Sequence, residues 1–172
     1  FKDDRWGWNF YSDWSNTSDD HGHGTHVAGI AGAATNNAAG VAGISWASPV
    51  MAVKFLNSAG VGDFLPMLLG MKYAVDNGAR VLNLSVTVDG DLTESQRTLL
   101  NERIAYATAH GALVVAASGN QGRSTVSYPA AHPDVLSVGA TTNADALWNS
   151  SNYGQGLDLV APGASVYSTY RN

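Results

Sequence analysis

The chain has 172 residues, with 9 basic and 14 acidic side chains, a net charge of −5 and no cysteine. That length supports one domain with a real core. No run of Lys or Arg offers a phosphate-binding face, which excludes nucleic acid as a partner. No apolar stretch approaches the roughly 20 residues that span a bilayer. Disulfides and thiol catalysis are ruled out, although the compartment is not fixed by that.

The opening "FKDDRWGWNFYSDWSNTSDD" (Phe1 to Asp20) is aromatic and polar without periodicity and reads as extended segments and loop. From Gly22 to Ala33 the chain is rich in Gly and Ala and predicts a helix with a small-residue face. "TNNAAGVAG" (Thr35 to Gly43) is a loop and "VMAVKFL" (Val50 to Leu56) a buried strand. A helix follows from about Asp63 to Asn77. Phe64, Leu68, Met71 and Val75 keep its period, Leu65 and Ala74 widen the stripe, Pro66 falls in the first turn and Gly78 stops it. "RVLNLSV" (Arg80 to Val86) is a second strand. Thr93 and Gln96 have the spacing of a capping box and open a helix to about His110, with Gly111 as its stop. "ALVVAAS" (Ala112 to Ser118), "VLSVGA" (Val135 to Ala140) and "LDLVAPG" (Leu157 to Gly163) are further strands.

Strands alternating with helices imply a parallel sheet with right-handed crossovers, and almost wholly apolar strands imply cover on both faces. The expected fold is α/β, a three-layer α/β/α arrangement with a mostly parallel sheet. Working residues of such sheets lie beyond the carboxyl ends of the strands. That singles out the loops beginning at Ser85 and at Ser118-Gly119-Asn120. Polar residues also follow apolar strands for plain turn reasons.

"DDHGHGTHVAGIAG" (Asp19 to Gly32) holds His21, His23 and His26. Three readings are open. The spacing suits metal ligation, although only His110 and His132 remain to extend a ligand set. The histidines also suit a helix cap and a surface turn, His26 sharing a face with His23. In the third reading His23 is a general base in the first helical turn, where the dipoles of the peptide units favour an uncharged imidazole. Gly22 and Gly24 leave room for a substrate, and the small residues from Ala28 to Ala33 let the helix pack closely. A base needs a nucleophile and an oxyanion donor, and Asn120, beside a glycine, is a candidate donor.

"HGTHVAG" (His23 to Gly29) and "VVAASGN" (Val114 to Asn120) together resemble the subtilisin-like serine proteases, or subtilases. "TNNAAGVAGI", "VMAVKFL", "VLNLS", "YPA" and "LDLVAPG" fall in the family's order, so the resemblance covers nearly the whole chain. It implies a serine endopeptidase that cleaves polypeptides by acyl transfer, of a secreted or cell-surface bacterial type, with a propeptide as a partner of the full-length protein. His23 would be the catalytic base, with His26 structural and His21 outside the motif. Asn120 would donate to the oxyanion. Ser85, Val86 and Thr87 would line the substrate groove, and Ala116, Ala117, Ser118 and Gly119 the wall of the pocket for the residue before the cut. The loop at Thr35 resembles a structural calcium site: the Asn37 side chain with the backbone carbonyls of Thr35, Ala39 and Val41. Oxygen donors suit calcium.

The departures are as informative. The family's triad runs Asp, His, Ser. The Asp belongs to a strand upstream of "HGTH" and the Ser to a Gly-Thr-Ser motif beyond "APG"; neither is in the chain. Both ends read as cut, so residues 1–172 are expected to be a partial catalytic domain, inactive and poorly stable alone. Asp19 and Asp20 lie too near His23 to orient its ring. "SVTVDG" replaces the usual glycine-rich turn. Two alternatives follow: a non-catalytic module that binds peptides in the groove, and a His-cluster metal hydrolase.

Overall fold

A computed structural model describes residues 7–88 and 90–171. The expectations for 1–6, Asp89 and Asn172 lie outside the described residues. The chain forms two units, Phe1–Gly70 with Tyr167–Asn172, and Met71–Val166.

In the first unit, β1 (Gly7–Asn9) pairs in parallel with β2 (Ala52–Lys54), and α1 (His23–Gly32) stands between them in the chain. β2 is shorter than the apolar run around it because β1 offers a ladder of only three register pairs. The small residues of α1 serve close packing. A side chain at Gly29 would collide with Ser168 and Thr169, and one at Gly32 would press on Val50 at 3.1 Å.

α2 (Phe64–Asp76) leads into the second unit, which has a four-stranded sheet. Its strands are β3 (Val81–Leu84), β4 (Leu113–Ala117), β5 (Val135–Thr141) and β6 (Leu159–Pro162), in that order and all parallel. α3 (Glu94–Ala109) connects β3 to β4 and lies against β4. Its start is the expected capping box: Gln96 N–H donates to Thr93 Oγ1 at 3.3 Å and Thr93 N–H to Gln96 Oε1 at 3.0 Å. The core gathers Leu100, Ile104 and Ala107 of α3 with Leu82, Leu84, Val114, Ala116 and Val135 of the sheet.

One expectation changes. Leu65 is 57 % exposed and shares the outer side of α2 with Leu69, while Met67 joins Leu68, Met71, Ala74 and Val75 in the buried stripe. Helical geometry sets Leu65 and Met67 about 200° apart, so both cannot face the core. The parallel strands with intervening helices are the α/β arrangement expected. Leu82, Leu84 and Val114 are buried, whereas Val81, Leu113 and Leu159 on the opposite face are 59, 47 and 52 % exposed. Among the described residues no helix is long and apolar enough to cross a membrane.

Ile104, with 0 % exposure, and Leu65 make a paired test. Ile104→Ala is expected to lower the stability of its unit by about 2–5 kcal/mol, and Leu65→Ala by less than about 0.5 kcal/mol. Urea denaturation of the two variants checks the assignment of the buried stripe.

Candidate active site

His23 is the first residue of α1 and is exposed. The cap residue before it, Gly22, has no side chain to satisfy the free amides of the first turn. Asp19 does so from three residues upstream. One carboxylate oxygen accepts the N–H of His21 at 2.9 Å and of Gly22 at 2.8 Å; the other accepts the N–H and the hydroxyl of Thr25 at 2.8 and 2.7 Å. Burial pushes the Asp19 carboxyl up, but these bonds outweigh it and hold the group well below the usual carboxylate range. Asp20 turns the other way and pairs with Lys54 at 2.6 Å, a bond that also lowers its carboxyl. Asp19 is thus engaged at the start of α1 and Asp20 with Lys54.

The rest of this frame was not visible in the sequence. Ser168 Oγ donates to the His26 carbonyl at 2.6 Å, Thr169 Oγ1 to the Thr25 carbonyl at 2.8 Å, and Tyr170 Oη to the His21 carbonyl at 3.2 Å. Three successive hydroxyl residues thus hold the first turns of α1. His26 is half-buried within this packing. His21 has a part in it too: its Nδ1 accepts the His23 N–H at 3.4 Å, and its ring stands edge-on to that of His23, 6.4 Å between centroids.

The remaining histidines are occupied elsewhere. His110 lies over the Tyr106 ring, 4.1 Å between centroids, and His132 Nδ1 accepts the Asp134 N–H at 3.1 Å. Among the described residues no three His, Cys, Asp or Glu side chains come together to hold a metal ion.

In the second unit Asn120 is exposed in the loop after β4. The residues before it alternate between the two faces of the sheet. Ala116 is buried on the helix side of the sheet. Ser118 is 1 % exposed, its hydroxyl donates to the Asn152 carbonyl at 3.0 Å, its N–H bonds to Val138 O and its carbonyl accepts Ser127 N–H. Every polar group of Ser118 is therefore committed inside the protein, while the Ala117 side chain faces the open side of the sheet. The apolar run of β3 outlasts its ladder: the last register pair is Leu84 with Ala116, and Ser85, Val86 and Thr87 continue beyond it, half-buried.

The loop after α1 bends sharply. Asn36, Ala38 and Gly40 alternate in the left-handed region, at φ 56°, 57° and 61°. Asn37 Oδ1 accepts the Ala39 N–H at 3.1 Å. Residues 34–42, Thr35, Asn37, Ala39 and Val41 among them, line an open depression of about 270 Å³. Its donors are neutral oxygens only; no carboxylate lies in the segment.

A model of the subtilase family matches residues 2–172. The chain is 44 % identical over 154 residues to Subtilisin Savinase of Lederbergia lenta, covering 90 % of this chain and 55 % of that protein. It is 39 % identical over 164 residues to Thermitase of Thermoactinomyces vulgaris, covering 95 % and 57 %. It is 43 % identical over 166 residues to the Cell wall-associated protease of Bacillus subtilis strain 168, covering 96 % and 18 %. The crystal structure of a cold adapted subtilisin-like serine proteinase matches with a TM-score of 0.75 at 27 % identity, over 95 % of this chain and 57 % of that one. The chain spans little more than half the length of Savinase, Thermitase and that structure.

The Asp19 cap has a pH signature. Asp19→Ala is expected to destabilise the protein by about 1–2 kcal/mol at pH 7. A lowered native carboxyl stabilises above the unfolded value, near about 4, and that contribution disappears as pH falls further. The gap between wild type and Asp19→Ala, followed by thermal unfolding from pH 7 to pH 2, therefore narrows below about pH 4. A gap independent of pH would contradict the capping role.

Proposed function

Since the chain belongs to the subtilase family, we propose that the complete protein is a serine-type endopeptidase to which these residues contribute the general base and one oxyanion donor. The observation that carries the reading is common to His23 and Asn120. Each is an exposed polar side chain on a backbone frame whose own hydrogen bonds are satisfied from within. Such rigidity suits groups that must meet a reacting atom in a fixed position.

In the proposed reaction His23 takes the proton of a serine hydroxyl supplied by the rest of the protein as that oxygen attacks the peptide carbonyl. The Asn120 amide donates to the oxygen that becomes negative. His23 then gives the proton to the leaving amine, and water repeats the sequence to release the acyl group. The orienting carboxylate and the serine both come from outside residues 1–172, in keeping with the share of the relatives that the chain spans. Ser85, Val86 and Thr87 extend past their ladder, which supports a role in pairing with the peptide backbone. Ala117 and the edge at Gly119 support a wall for the residue before the cut; Ser118 contributes by position. The side chains of Val86 and Thr87 narrow this edge compared with a glycine-rich turn. A secreted or cell-surface location and a propeptide partner belong to the same reading.

Calcium is proposed for the loop at residues 34–42. Its oxygen donors and the left-handed Ala38, which costs roughly 1 kcal/mol or more, support a loop held by a bound ion. Thr35, Ala39 and Val41 would give carbonyls and Asn37 its side chain; calcium takes about 6–8 oxygens, so further donors must join them. The role is structural.

The catalytic reading is tested on the complete protein with a peptide amide substrate. His23→Ala is expected to lower kcat by at least about 10³-fold with little change in KM. Retained turnover in His23→Ala would overturn it; peptide binding without turnover in the wild type would favour the non-catalytic module. For calcium, millimolar Ca²⁺ is expected to raise Tm in the wild type, and Asn37→Ala to lose most of that rise. Equal shifts in the two would remove Asn37 from the ligand set.

A further inference from the structure

Asn152 precedes β6 and is 1 % exposed. Each polar group of the residue is engaged. Its Nδ2 donates to Gln121 Oε1 at 2.9 Å and to Ser127 Oγ at 3.1 Å. Its Oδ1 accepts the N–H of Gln121 at 3.0 Å and of Arg123 at 3.2 Å. Its own N–H donates to the Gly119 carbonyl at 2.9 Å, and its carbonyl accepts the hydroxyls of Ser118 at 3.0 Å and Ser151 at 3.1 Å.

Asn120 stands between two of these attachments. The carbonyl of Gly119 before it and the N–H of Gln121 after it are both held by Asn152. Contact is close as well. Gly119 has φ +121°, and a Cβ there would run into the Asn152 amide and meet Ser127 Oγ at 2.8 Å. Only glycine fits this position.

We infer that Asn152 is a positioning residue for the oxyanion donor. Its side-chain oxygen fixes the peptide unit after Asn120 and its backbone N–H holds the Gly119 carbonyl before it, and the side-chain bond thereby helps set where the Asn120 amide points. The inference rests on the reading of Asn120 as that donor. Its physical basis is preorganisation: a donor stabilises a developing charge most when no reorientation is needed, and small displacements at a reacting centre lower the rate steeply.

The test is a double-mutant cycle in the complete protein, with kcat and KM measured for a peptide amide and folding checked by thermal unfolding. Asn120→Ala is expected to lower kcat by about 10²–10³-fold, the magnitude known for loss of such a donor in a subtilisin. Asn152→Ala is expected to lower kcat by about 10–100-fold with KM within about twofold. Once Asn120 is alanine, Asn152→Ala should cost almost nothing more, because the group it positions is gone. Asn152→Asp keeps the oxygen that binds the Gln121 and Arg123 amides. It should lose less than the alanine variant, and it carries the same cycle if that variant does not fold. Losses that multiply in the double variant, a loss confined to KM, or unchanged kcat in the Asn152 variants would overturn the positioning role while leaving the donor reading intact. Unchanged kcat in Asn120→Ala would overturn the donor reading itself, and this inference with it.

Discussion

A loop that leaves a parallel strand loses the ladder that satisfied its backbone, and buried amides without partners are costly. Asn152 answers that constraint after β4. It presents an acceptor to two amides, a donor to two side chains, and its own peptide groups to Ser118 and Gly119. The loop after β4 is consequently tied to the segment before β6 rather than left to solvent. Asp19 solves the equivalent problem in the first unit, where the start of α1 exposes amides that its glycine cap cannot satisfy. In both places the side chain proposed to act is exposed, and the groups beneath it are engaged.

This separation of frame from functional group explains the composition of the segments involved. Glycines stand where backbone must approach a side chain closely, as Gly119 does with Asn152 and Gly29 with Ser168 and Thr169. Hydroxyl residues stand where carbonyls of α1 can take a second bond. The sheet supports the arrangement with a covered face, packed by α3, and a face that leaves Val81, Leu113 and Leu159 about half exposed.

Much of the fold was legible because its signals are local. The capping box at Thr93 and Gln96, the breaks at Gly78 and Gly111 and the apolar runs of the strands each occupy a few neighbouring residues. Strand ends were less legible: "VMAVKFL" and "RVLNLSV" outlast their ladders, since pairing depends on a neighbour that composition does not reveal. Leu65 misled because one apolar residue fits the edge of several helical stripes. Of the candidate site, "HGTHVAG" and Ser-Gly-Asn were legible as motifs. Asn152 was not, because it acts on residues some thirty positions away. Nor were Ser168, Thr169 and Tyr170, which reach α1 across more than 140 positions. A polar residue in "NSSNYG" carries no local mark of such partners.

The central claim is that His23 activates a serine nucleophile, and its most direct measure is the rate of covalent labelling by an organophosphonate that reacts with activated serines. The wild-type complete protein should take up one label per chain, and His23→Ala should label at least about 10²-fold more slowly under the same conditions. Labelling at equal rates in the two proteins would contradict the assignment of His23 as the base.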